Sequence, residues 1–277
     1  MGKFDRVLIF SDIDGTYIAG HNTVPANDAA VRYFASEGGS FTFATGRMEK
    51  NVPLAIPNVA EIANFPVLLS NGAVMYDFKT DTRSDEQFME PDTVAPLMEY
   101  AIAHYPTVGI RATVPGGFWY TSDHPLVLRD LSRTPDCSYK LPFSEWNVEG
   151  VYKIVFRGDA ETLERMQTDI TERFGERLMI IMSELGILEA QRKDVSKGSA
   201  IERIREKLRA AGTPKTIVCI GDYENDLEML RAADLAACPD NALPSVKAVS
   251  HITLCDCKDG AIAHLIAYLE EHPELFA

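Results

Sequence analysis

Positive charge is scarce in this chain. Lys and Arg number 27 against 41 Asp and Glu, leaving a formal charge of −14. That excludes a general nucleic-acid binder, which needs a basic stripe to displace counterions from phosphates. Cysteine is sparse as well. Cys137, Cys219, Cys238, Cys255 and Cys257 show no Cys-x-x-Cys pairing of a zinc site. A chain of 277 residues buries enough surface to need no disulfide scaffold, so free thiols in a reducing compartment are expected. Long apolar runs are missing: nothing approaches the ~20 residues of a membrane span. The first such run, Val7 to Phe10, stops at Ser11-Asp12 and reads as no secretory signal. The expected location is the cytoplasm, with no membrane partner. The six histidines (His21, His104, His124, His251, His264, His272) show no ligand spacing and are expected at the surface.

What is present is an ordinary globular balance, 46% apolar and 25% charged. Short buried strands are predicted at Arg6–Phe10, Ser40–Ala44 and Pro66–Leu69. Pro25 opens a helix, since proline suits a first helical turn, and a further helical stretch is expected from Arg47. After residue 190 the rhythm resumes: a helix from Ser196 to Ala211, a strand Thr216–Ile220, a helix Tyr223–Ala233, a strand Leu235–Cys238 and a last helix from Ala261. Apolar strands alternating with amphipathic helices predict a doubly wound parallel sheet covered on both faces, an α/β Rossmann-like core. Between them the pattern changes to helix-strand-strand, twice, which predicts an α+β insert with an antiparallel sheet. The domain reading is thus residues 1–83 and 191–277 as core and 84–190 as insert. The insert carries 9 basic and 18 acidic residues, making it the more acidic part and a poor host for a polyanion.

The strand ending at Phe10 runs into Ser11-Asp12-Ile13-Asp14-Gly15-Thr16. Ligands of open parallel sheets bind at the strands' carboxyl ends, so two carboxylates there point to chemistry. A calcium loop fails, because Thr16 and Thr23 stand where it wants an acidic or amide side chain and Glu. The second strand ends in Thr45-Gly46-Arg47, and Ser196-Lys197-Gly198 opens a helix with a cation where the dipole disfavours one. A bound anion would turn that position to advantage; the plain alternatives are an N-cap and a solvated surface Lys. The strand Thr216–Ile220 ends in Gly221-Asp222-Tyr223-Glu224-Asn225-Asp226. Carboxylates converging at neighbouring strand ends repel unless a cation joins them, and a hard divalent ion such as Mg²⁺ suits oxygen ligands.

This constellation resembles the four motifs of the haloacid dehalogenase superfamily, and its order resembles the Cof-type phosphatases, which carry a large cap between the second and third motifs. The resemblance implies that Asp12 is the nucleophile forming an aspartyl-phosphate, and that Asp14 protonates the leaving oxygen and then activates water. It implies Mg²⁺ held by the Asp12 carboxylate, the Asp14 backbone carbonyl and Asp222. Thr45, Gly46, Lys197, Asn225 and the backbone at Ile13 would hold the phosphoryl oxygens, and Asp226 would orient Lys197 or a metal-bound water. Arg47 is read either as a substrate contact or as a helix-surface residue. Asn71, after the third strand, would face the site. One stretch departs from the family's usual turn, Ala237-Cys238-Pro239-Asp240-Asn241-Ala242. The expected substrate is a small phosphorylated metabolite, such as a sugar phosphate. A phosphotransferase or phosphomutase with the same intermediate, or a non-catalytic metal and phosphate sensor, are the alternatives. The sequence does not speak to oligomeric state.

Overall fold

The computed structural model describes residues 2–20 and 22–276, so His21 lies outside the described residues. The chain forms two compact units, Met1–Glu86 with Ser196–Ala277, and Gln87–Val195. The first begins with β1 (Val7–Ser11), whose five residues are all buried. Next come α1 (Pro25–Ser36) and β2 (Ser40–Phe43). A meander follows of β3 (Val67–Leu69), β4 (Val74–Asp77) and β5 (Thr82–Ser84).

The helical stretch expected from Arg47 is not formed. The segment turns, then makes two one-turn helices, Val52–Ala55 and Val59–Ile62. Pro53 fits only the first turn of a helix, and Pro57 biases Ile56 away from helical geometry; Ile56 sits at φ −128°, ψ 85°. Thr45-Gly46 therefore ends a strand without opening a helix.

The second unit holds α2 (Pro91–His104), β6 (Gly109–Val114), β7 (Gly117–Tyr120), α3 (Pro125–Leu131), β8 (Ser138–Lys140), β9 (Lys153–Arg157), α4 (Ala160–Phe174), β10 (Leu178–Glu184) and β11 (Ile187–Arg192). Its sheet runs β8–β7–β6–β9–β11–β10. Alternation along the strands puts Ile110, Ala112, Ile154, Phe156, Leu188 and Ala190 in one apolar core. Val94, Leu97 and Met98 of α2 and Leu163, Met166 and Ile170 of α4 belong to the same core. The sheet is antiparallel except at its edge, where β8 pairs parallel with β7. The sequence reading had neither α3 nor β8; the intervening helix is what makes a parallel pair possible.

The chain returns to the first unit with α5 (Lys197–Ala210), β12 (Thr216–Ile220), α6 (Leu227–Ala232), β13 (Leu235–Cys238), β14 (Ile252–Thr253) and α7 (Ala261–Glu271). The main sheet has the order β14–β13–β12–β1–β2, parallel throughout the described residues. On one face Leu8 and Phe10 meet Ile201 and Ile204 of α5 and Met229 of α6; Val7 and Ile9 bury the other. From β1 the chain steps to β2 on one side and later returns as β12 on the other. The carboxyl end of β1 is therefore a topological switch point, where such sheets open a crevice.

Candidate active site

Asp12 follows β1 directly and donates its backbone N–H to Ile220 O at 2.9 Å. Its side chain is nearly buried. Lys197, the first residue of α5, is wholly buried, and its Nζ donates to Asp12 Oδ1 and to Asp226 Oδ1, both at 2.6 Å. Ser196 caps the helix and exchanges hydrogen bonds with Ser199, and Gly198 lets α5 pack tightly: a Cβ there would lie 2.6 Å from the backbone of Glu228. Lys197 is thus held inside the protein between two carboxylates, and the alternative of a solvated first-turn lysine does not hold.

Asp222 lies on the loop after β12. Its Oδ1 accepts the Thr16 hydroxyl at 2.7 Å, and its backbone O accepts Leu243 N–H at 3.0 Å. Gly15 has φ +81°, and a Cβ there would sit 2.4 Å from Asp222 Oδ2. The two loops can meet only because that residue is glycine. Asp226 is fully buried. Besides Lys197, it accepts N–H bonds from Asp222 at 3.1 Å and Tyr223 at 3.2 Å through Oδ2.

Carboxylate oxygens of Asp12, Asp222 and Asp226 all lie within 4.8 Å of one another. Burial pushes Asp12 up to about 8, with Lys197 opposing and Asp226 and Asp222 adding to the rise. Burial pushes Asp222 up to about 6 against the Thr16 hydrogen bond. Lys197 is raised, because its two carboxylates outweigh the opposing effect of burial. One ammonium does not neutralise three clustered acids, and the donor set is all oxygen. The site thus fits a hard divalent cation such as Mg²⁺. Both Asp226 oxygens are already committed to Lys197 and to backbone N–H groups, which leaves Asp12 and Asp222 as the carboxylates best placed to hold it.

Asp14 is turned elsewhere. Its carboxylate is half-exposed and makes a two-point fork with Arg47, Nε to Oδ2 at 2.8 Å and Nη2 to Oδ1 at 2.7 Å. Thr45 is buried, and its Oγ1 accepts Arg47 N–H at 3.2 Å. Thr45 O accepts Asn71 N–H at 3.0 Å, and Asn71 Oδ1 accepts from Asn225 Nδ2 at 3.3 Å. Gly46 leaves room for this amide: a Cβ there would lie 3.0 Å from Asn71 Oδ1. Ser70, Asn71 and Gly72 all have positive φ, at 49°, 54° and 99°, and a Cβ on Gly72 would fall 2.2 Å from Ser196 O. The turn after β3 is therefore locked against the start of α5. Ile13 contributes a backbone carbonyl that accepts Tyr17 and Ile18 N–H groups within its own loop.

Two residues had no assigned role in the sequence reading. Thr16 steadies Asp222, a role invisible without knowing that the two loops touch. Asn241 donates to Gly15 O at 2.8 Å and accepts Cys257 N–H at 2.9 Å. The departure at Ala237–Ala242 thus buttresses the first loop of the site, and its Asn was the available signal.

A model of the haloacid dehalogenase-like hydrolase family matches residues 9–266. A relative called HMP-PP phosphatase, from Klebsiella pneumoniae (strain 342), is 25% identical over 270 residues, covering 95% of this chain and 96% of its own. A solved structure from Thermotoga maritima superposes with a TM-score of 0.80 at 24% identity, over 95% of this chain and 97% of that one. A haloacid dehalogenase-like hydrolase from Bacteroides thetaiotaomicron gives 0.81 at 21% identity, over 95% and 98%.

Proposed function

The chain belongs to the haloacid dehalogenase-like hydrolases, and from that premise we propose that it is a Mg²⁺-dependent cytoplasmic phosphatase of a small phosphorylated metabolite, a sugar phosphate, acting through an aspartyl-phosphate on Asp12. The observation that carries the reading is the buried Lys197, which joins Asp12 to Asp226 at 2.6 Å each beside Asp222. A carboxylate attacks an anionic phosphate only if the repulsion is cancelled, so catalysis here is chiefly positioning and charge neutralisation.

Lys197 fixes one Asp12 oxygen and leaves the other to bond to phosphorus. As that bond forms, the bond from phosphorus to the ester oxygen breaks, and Asp14 delivers a proton to the departing oxygen. Asp14 then takes a proton from water, whose oxygen bonds to phosphorus; the Asp12–phosphorus bond breaks and inorganic phosphate leaves. Thr45, Gly46, Asn225 and the Ile13 backbone would cradle the phosphoryl oxygens, with Asn71 holding Asn225. Mg²⁺ would be held by Asp222, the Asp14 carbonyl and the Asp12 oxygen that does not bond to phosphorus, and would supply positive charge against the incoming phosphate. Asp226 acts through Lys197. We assign substrate choice to the unit Gln87–Val195.

A screen of phosphorylated metabolites for phosphate release, with Mg²⁺ and with Asp12→Asn as the blank, tests this. Release should vanish in EDTA and in the blank. Turnover that survives Asp12→Asn would remove Asp12 from the chemistry.

A further inference from the structure

The fork between Arg47 and Asp14 occupies the group to which the proposed reaction assigns both proton transfers. Both Asp14 oxygens are taken by one guanidinium, at 2.8 and 2.7 Å. The fork takes a lone pair on each oxygen and aims the carboxylate at Arg47, not at a departing ester oxygen. Arg47 is not an idle surface residue either. Its backbone N–H is tied to Thr45 Oγ1, its carbonyl accepts Ser70 N–H at 2.9 Å, and its side chain is only a quarter exposed. The Asp14 hydrogen bond raises the guanidinium above its ordinary range against the opposing effect of burial, and the charge of Asp12 adds to the rise. Its remaining edge makes only a marginal contact, Nη1 to Asn51 O at 3.5 Å.

We propose that Arg47 exchanges partners: it holds Asp14 while the site lacks an anion, and releases it when its fork takes the oxygens of an arriving phosphoryl group. A guanidinium fork matches carboxylate and phosphate equally well in geometry, so one residue can serve both in turn. The exchange costs little, because the fork is partly solvated and such pairs contribute modestly. Substrate arrival then frees Asp14 at the moment it is needed. The inference rests on the phosphatase reading above.

The test is a cycle of equilibrium binding of inorganic phosphate, with Mg²⁺ present, to the wild-type protein, Asp14→Asn, Arg47→Ala and the double variant, with Arg47→Lys alongside. Asp14→Asn should bind phosphate about three- to fivefold more tightly, the factor that loss of a partly exposed pair allows. Arg47→Ala should bind more weakly, and the double variant no more tightly than Arg47→Ala. Arg47→Lys, which keeps the charge without the fork, should fall between. A gain that persists in the double variant, or no gain in Asp14→Asn, overturns the exchange. If the wild-type enzyme nevertheless hydrolyses phosphate esters, only the exchange falls. If it neither binds phosphate nor turns over any ester, the phosphatase reading falls with it.

Discussion

Replacing Lys197 by Met tests the electrostatic core of the site most directly. Met keeps the length of the side chain and removes its charge. In the wild type the ammonium touches Asp12 and Asp226 at 2.6 Å with no solvent exposure. The variant would leave both carboxylates, and Asp222 within 4.8 Å of them, without their buried cation. Removing one member of a buried ion pair costs about 3–5 kcal/mol, mostly the penalty of stranding its partners. In a chain of this size each kcal/mol shifts the melting temperature by roughly 2–4 °C, so a drop of about 10 °C is expected. The assay is thermal unfolding in EDTA, so that no added cation substitutes. Adding Asp226→Asn to Lys197→Met should recover part of the loss, because one stranded charge is then removed. A loss below about 1 kcal/mol, within the range of an exposed pair, would refute the view that Lys197 neutralises the cluster. So would a second substitution that only makes matters worse.

Two further outcomes follow from the same loops. Asp222 is pushed up to about 6 by burial, so between about 4 and 6 the native state binds more protons than the unfolded chain, and this residue's contribution to stability falls as pH rises. Asp222→Asn should therefore gain on the wild type by about 2 kcal/mol or less from pH 4 to 7 in EDTA, and Mg²⁺ should stabilise the wild type but not the variant; pH-scanned unfolding reads both. Gly15→Ala would place a Cβ 2.4 Å from Asp222 Oδ2 at φ +81°, and is expected to destabilise by about 1–3 kcal/mol and to weaken Mg²⁺ binding in a calorimetric titration.

The sequence disclosed the parallel core because its strands are short, apolar and followed by chemistry: β1, expected at Arg6–Phe10, runs Val7–Ser11, and β12 runs Thr216–Ile220 as expected. It misled at Arg47, where a helical stretch was expected that Pro53 and Pro57 break into two single turns. It singled out Lys197 through the motifs but left its burial open, since a cation at a helix start looks the same whether solvated or buried; its contacts with residues 185 positions earlier and 29 later distinguish the two. Asn241 stands in a stretch that departs from the family's usual turn, yet its role needed the loop of Gly15 beside it. Asp14 illustrates a third kind of gap. Its place in the motif is plain from the sequence, but its side-chain partner is a guanidinium 33 residues away.

The two-unit division has a consequence for how the site comes into being during synthesis. Asp12 is made early, yet β12 and Lys197 follow only after the whole of Gln87–Val195. That intervening stretch is contiguous and has its own apolar core, so it can collapse before the rest is finished. Its two ends lie close together, Arg192 donating to Phe88 O and to Gln87 Oε1, both at 3.3 Å. A folded insert with neighbouring ends behaves as a short loop, and the entropy of closing it grows only slowly with length. Asp12 waits on the nascent chain for Lys197, and a ribosome stalled before residue 197 would carry Asp12 without the ammonium that holds it in the finished protein.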